Sequence, residues 1–325
     1  MRWLLSRLSR RALGGPIAIG LTFMLVSACE RSTPSAGRKD TAVPVVSPPE
    51  TTVVPTPVAS TWDSTAGPAL FVVGETATEA WVIAPQFTDS TALDSTRFGV
   101  APIRSIQLDL FSGGKRVGVA KVESTSGSVR TDSCRTWPKA RLNVATADTA
   151  ATRDWNVAFE AGHAAELTLD SIAGLPAADS ARLAADIARL ASVLPGDTAA
   201  MFRGLPFVVN KAWRARTPNG RDLLAAIVVR NVNQEANPRQ ERIMLLAERD
   251  SGATPGRYST RYSERVVGLE ETLETTDLIA MVLLGAERRP TLVVARETGS
   301  GASFALIERI GGTWQRRWAT VYAGC

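Results

Sequence analysis

Near its C-terminus the chain repeats itself, and that repeat restricts the fold more than any other feature of its 325 residues. Residues 222–229 (DLLAAIVV) are echoed by residues 277–284 (DLIAMVLL), and the apolar run 243–249 (IMLLAER) by 292–297 (LVVARE). Gly256, Tyr258, Arg261, Tyr262 and Gly268 then recur at identical spacing as Gly312, Trp314, Arg317, Trp318 and Gly324. Short apolar runs separated by polar, turn-forming residues read as strands, so each unit, 222–268 and 277–324, is expected to be a β-meander. Two aromatics four apart on a regular strand point to one face. Tyr258 with Tyr262, and Trp314 with Trp318, are therefore expected to pack between the sheet and its neighbour, the alternative being an exposed aromatic binding face.

The rest of the folded part begins near Leu70. Residues 70–73 and 80–83 are short β-type runs. In 103–111, Ile106, Leu108 and Leu110 alternate with Gln107 and Asp109, and 117–122 follows after Ser112-Gly113-Gly114-Lys115, the signature of a β-hairpin. Residues 124–154 carry less pattern. Residues 177–194 place Leu183, Ile187, Leu190, Ala191 and Leu194 on one stripe, with Asp179 near the start and Pro195-Gly196 as a stop, which predicts a helix lying on a sheet. A helical turn is expected at 197–203 and extended structure at 205–209. The expected class is α+β, mainly β: antiparallel meanders and hairpins with one helical insertion at about 177–203.

A meander of this length resembles a β-propeller blade, and residues 222–325 resemble degenerate FG-GAP or VCBS repeats. The acidic Asp-x-Asp-Gly loop that binds calcium in that family is replaced here by Gly285-Ala286-Glu287-Arg288-Arg289-Pro290, so calcium binding is not carried over. Two units cannot close a propeller, and a mixed β-rich domain covering 69–325 is the expectation.

The first 28 residues read as an export signal: arginines at 2, 7, 10 and 11, an apolar run from Leu13 to Val26 interrupted by Gly14-Gly15-Pro16, and then small residues. The run is short of the ~20 residues that cross a bilayer. Its end, Leu25-Val26-Ser27-Ala28-Cys29, resembles the lipobox of bacterial lipoproteins, and the resemblance implies cleavage before Cys29 and acylation of its thiol. Ser9-Arg10-Arg11-Ala12-Leu13 also resembles a twin-arginine signal, so the general secretory route and the twin-arginine route both stay open. Glu30 stands where some lipoproteins retained at the inner membrane carry Asp, which implies the periplasmic side of the outer membrane or the cell surface. From Cys29 to 68 the chain is rich in Thr, Ser and Pro, with prolines at 34, 44, 48, 49, 55, 57 and 68. Repeated proline removes backbone donors and favours extended conformations, as in a spacer.

The formal charge of +5 comes from 37 basic and 32 acidic side chains. Removing the four leader arginines leaves 33 against 32, a near-neutral chain with no nucleic-acid footprint. With Cys29 acylated, Cys134 and Cys325 remain in an oxidising compartment, and a Cys134–Cys325 disulfide is expected.

The chemistry available is narrow. His163 is the single histidine, flanked by Glu160 and Glu166; on a helix the three would share a face, but Gly162 weakens that helix and a solvated histidine is expected. There is no Gly-x-Ser-x-Gly elbow and no phosphate-binding glycine loop. Paired carboxylates, Glu235 with Glu241 and Glu270 with Glu271, are of the type a glycosidase uses, although arginines at 239, 242 and 265 explain them as surface ion pairs. No catalytic residue, metal or cofactor is expected. The reading is a non-catalytic envelope lipoprotein, tethered to the membrane and binding an envelope protein or polymer. The alternatives are a hydrolase of an envelope polymer acting through acidic residues, or a lipid or small-molecule carrier.

Overall fold

Side-chain alternation of period two organises most of the chain into antiparallel strands, with one α-helix among the described residues. The computed structural model describes residues 68–85, 87, 103, 105–127, 130–131, 134–145, 154–195, 199–232, 238–250 and 256–324. All belong to one unit of the chain. The class is α+β, mainly β. No described helix is long and apolar enough to cross a membrane.

Six strands close an antiparallel barrel: β1 (Leu70–Val73), β2 (Glu79–Ile83), β3 (Gln107–Ser112), β4 (Lys115–Ser126), β7 (Lys139–Ala145) and β8 (Val157–Glu160), in the order β1-β2-β7-β4-β3-β8. The expected hairpin is β3–β4, whose turn glycines have φ of 56° at Gly113 and 90° at Gly114. Positive φ at both central positions is what a tight hairpin turn requires, and glycine adopts it without steric cost. A two-stranded ribbon joins β5 (Arg130–Thr131) to β6 (Cys134–Arg135).

The first meander comprises β11 (Val208–Arg216), β12 (Arg221–Val232), β13 (Arg239–Asp250) and β14 (Ser259–Leu269), with β10 (Asp170–Ser171) added at one edge. The second comprises β15 (Thr275–Leu284), β16 (Arg289–Thr298), β17 (Gly301–Ile310) and β18 (Thr313–Ala319), with β9 (Ala164–Glu166) at its edge. Helix α1 (Ala177–Ser192) follows the expected stripe: Leu183, Ile187, Leu190 and Ala191 are buried. Its N-cap is Pro176, and Asp179 lies in the first turn paired with Arg182 rather than capping. The turn expected at 197–203 is a 3₁₀ turn over Ala200–Phe202.

The apolar side chains form three layers of core. Helix α1 packs against Leu224, Ala226, Ile243 and Leu245 on one face of the first sheet. The opposite face, with Leu223, Ala225, Met244 and Leu246, meets Met281, Leu292, Val294 and Ile307 of the second sheet. The far face of that sheet, with Val282, Val293, Phe304 and Leu306, closes on the barrel's Phe71, Phe111, Trp137 and Phe159.

The two meanders share a strand order, but it does not follow the alignment the apolar runs suggest. That alignment matches β12 with β15 and β13 with β16 and passes over β17; only its last segment, β14 with β18, joins strands at the same place in the two sheets. Matching strands by position instead pairs β13 with β17, where Leu246, Glu248 and Arg249 correspond to Leu306, Glu308 and Arg309.

A bulge in each last strand overturns the one-face expectation for the aromatics. In β14, Tyr262 lies opposite Leu246 but Thr260 opposite Ala247, so Arg261 is an extra residue. In β18, Trp318 lies opposite Leu306 but Arg316 opposite Ile307, so Arg317 is the extra residue. One inserted residue reverses the side-chain alternation. Tyr258 therefore packs on the helix side while Tyr262 packs between the sheets; Trp314 packs between the sheets and Trp318 against the barrel.

Candidate functional site

The two bulges do more than turn aromatics. Each swings an arginine toward a glutamate buried in the neighbouring strand. Arg261 Nε lies 4.0 Å from Glu248, and Arg317 Nη1 donates to Glu308 at 2.9 Å. From the strand on the other side, Arg221 Nη1 lies 3.4 Å from Glu248 and Arg289 Nη1 3.8 Å from Glu308. Arg221 and Arg289 hold equivalent positions in β12 and β16, by the pairing of those strands with β13 and β17. Each meander thus carries an Arg–Glu–Arg cluster around a carboxylate exposed by 1% at Glu248 and 2% at Glu308. Burying a carboxylate is costly unless charge and hydrogen bonds compensate it; Arg221 and Arg317 donate hydrogen bonds, and Arg261 and Arg289 add charge.

The first cluster also ties the two sheets together. Arg309 Nε and Trp314 Nε1, both from the second sheet, donate to Glu248 Oε1 at 2.7 Å each. A pocket of about 310 Å³ opens over this glutamate, lined by Arg221, Arg249, Asp250, Arg257, Ser259 and Arg261 among others. Arg249 packs over the Tyr258 ring, 4.4 Å from its centroid, and donates to Asp222, which Arg216 also reaches at 3.0 Å. Burial raises the Tyr258 hydroxyl above its ordinary pKa, with Arg249 opposing the shift. At the second cluster Arg289 is paired with Glu287 at 2.5 Å.

Other charged groups serve the scaffold. Glu241 is fully buried, ion-paired with Arg230 and with Arg265 Nε at 3.2 Å. Arg230 donates to the Phe202 carbonyl at 2.9 Å and lies 4.4 Å from the Phe207 centroid, fastening the 3₁₀ turn to the sheet. Lys211 holds Asp277 at 3.0 Å, and burial pushes that carboxyl up against the opposing pull of the lysine. Tyr262 donates to Glu264, and burial followed by that bond raises its pKa; Tyr322 donates to Glu274 and is pushed up to about 12, chiefly by burial. On the barrel, a second recess of about 310 Å³ is lined by Thr76, Thr78, Ser124, Ser126, Lys139 and Arg141 among others.

The residues singled out from sequence scatter. His163 sits half-exposed in the turn between β8 and β9, where Gly162 has φ of 81°, and its Nε2 is 3.9 Å from Glu160. Glu166 instead accepts the Arg116 backbone N–H at 2.9 Å, so the three do not share a helix face. Glu235 lies outside the described residues while its partner Glu241 is deep in the scaffold; Glu270 and Glu271 are exposed in a turn. Tyr258, Trp314 and Trp318 are buried and Tyr262 is partly buried, in three different layers. Cys29 and Cys325 lie outside the described residues, as does the Cys134 side chain. Among the described residues, no three His, Cys, Asp or Glu side chains are grouped to hold a metal.

Sequence reasoning reached Arg261 and Arg317 as repeated positions but missed Glu248 and Glu308. The available signal was a glutamate inside an otherwise apolar strand in each unit, Leu-Leu-Ala-Glu-Arg and Ala-Leu-Ile-Glu-Arg. Compared with protein-family models, characterised proteins and solved structures, the chain matches none.

Proposed function

We propose that the chain is a lipid-anchored protein of the bacterial cell envelope whose folded domain binds another envelope component without transforming it. The order of segments carries the reading: a basic start, a short apolar run, small residues ending at Cys29, a spacer with seven prolines, and then a β-rich domain. Acyl chains on Cys29 hold the protein at the bilayer, each buried CH₂ contributing about 0.8 kcal/mol, and the spacer gives the domain reach. In-cell cross-linking followed by capture of the tagged full-length chain tests the binding role. A partner recovered at near-equal amount with the wild type and lost with Cys29→Ser is the expected result. Equal recovery from both forms contradicts a role that depends on the anchor.

The same compartment supports a Cys134–Cys325 disulfide. The Arg135 N–H donates to the Gly324 carbonyl at 3.1 Å in an antiparallel bridge, and each of these residues is the chain neighbour of one cysteine. Closing so long a loop restricts the unfolded chain, with an upper limit of about 5 kcal/mol on the chain-entropy account. Alkylation of the unfolded, unreduced protein is expected to leave both cysteines unmodified, and prior reduction to expose both. Two reactive thiols without reductant contradict the pairing.

A further inference from the structure

We propose that the pocket over Glu248 binds a phosphate-bearing ligand through Arg221, Arg257 and Arg261. Glu248 fixes the floor: its carboxylate is satisfied from behind by Arg309 and Trp314, which balances its charge and leaves donors of Arg221 and Arg261 for a ligand. An arginine has five N–H donors in a planar fork suited to oxyanions. Arg221 spends one contact on Glu248 and one on Asp250, at 3.4 and 3.2 Å, and Arg261 stands 4.0 Å from Glu248, beyond hydrogen-bond length. Arg257 lines the same pocket and is exposed.

The charge count identifies the ligand class. Arg221, Arg249, Arg257 and Arg261 line the pocket with Glu248 and Asp250, four guanidinium groups against two carboxylates, and Arg309 adds a fifth against Glu248 while Arg249 is shared with Asp222. This excess sits on a chain that is nearly neutral once the leader arginines are set aside. The equivalent cluster lacks it, because Arg289 and Arg317 there meet Glu308 and Glu287. A concave site with surplus guanidinium charge suits a multiply charged oxyanion, and a phosphate monoester matches both the charge and the fork geometry. The inference is independent of the anchor.

The test titrates the full-length chain with inorganic phosphate and with glycerol phosphate at low ionic strength, following binding by calorimetry. Saturable binding is expected, weakening with added salt. The Arg257→Gln/Arg261→Gln variant is expected to bind at least about tenfold more weakly while still unfolding cooperatively, because Arg309 and Trp314 keep Glu248 bonded. An Arg182→Gln/Arg189→Gln variant, which removes the same charge from helix α1, is expected to bind as the wild type does. Co-sedimentation with phosphatidylglycerol vesicles against phosphatidylcholine vesicles then separates the sources. A preference for the anionic vesicles that the Arg257→Gln/Arg261→Gln variant loses assigns a lipid headgroup; equal sedimentation with both, alongside glycerol phosphate binding, assigns a soluble ligand. Absence of saturable phosphate binding, undiminished binding in the pocket variant, or an equal loss in the helix variant overturns the proposal.

Discussion

Replacing Glu248 with alanine is expected to lower the free energy of unfolding by about 3–5 kcal/mol, the range found when one partner of a buried ion pair is removed. The carboxylate is 1% exposed and accepts from Arg309 and Trp314 across the interface between the sheets. Without it, the Trp314 indole, which is 5% exposed, keeps a buried donor with no acceptor, and Arg309 keeps a charge only 16% exposed. The hydrophobic replacement Glu248→Leu fills the volume but leaves the same charge unpaired, so it is expected to be no more stable than the alanine variant. Adding Arg309→Leu to Glu248→Leu should recover part of the loss, because residues in one ion network do not act additively. Urea denaturation measures all of these, and a midpoint for Glu248→Ala within error of the wild type would falsify the role assigned to this residue.

Gly114→Ala is the second large effect, about 3 kcal/mol or more, because overpacking against backbone has no flexible side chain to absorb it. A Cβ at Gly114 falls 2.2 Å from the carbonyl oxygens of both Leu167 and Met281. The turn lies where the barrel meets β15, and it is held there by Leu167 N–H donating to the Gly114 carbonyl at 3.1 Å and Leu169 N–H to the Gly113 carbonyl at 3.0 Å. The adjacent Gly113 is the control. Its φ is also positive, but a Cβ there meets nothing within 4 Å, so Gly113→Ala should cost only the left-handed strain of about 1–2 kcal/mol. The two variants share a turn and differ in contact, and equal melting temperatures would contradict the close approach.

What the sequence carried was local. The apolar stripe of α1, the glycine turn of β3–β4 and the apolar strands β12, β13, β15 and β16 are written in neighbouring residues and formed where expected, whereas β17 carries no such run in the expected alignment. Strand β7 makes no apolar run although Ala140, Leu142 and Val144 alternate with Lys139, Arg141 and Asn143, because each apolar residue stands alone between polar ones. Barrel closure was illegible for a different reason: β1 pairs with β8, distant in the chain, and nothing in either strand names its partner. The bulges at Arg261 and Arg317 were hidden too, since an inserted residue leaves the spacing of the aromatics intact and changes only which face each one meets. The Arg–Glu–Arg clusters draw each member from a different strand, so the spacing within any one segment could not reveal them.

The central claim, that this domain is an anchored component of the envelope, rests on Cys29. Metabolic labelling with palmitate, followed by fractionation of cells producing the wild type or Cys29→Ser, tests it most directly. The account predicts label on the wild-type chain in the membrane fraction, and an unlabelled, non-sedimenting Cys29→Ser protein. A wild-type chain without label, or a Cys29→Ser chain still in the membrane fraction, would contradict it.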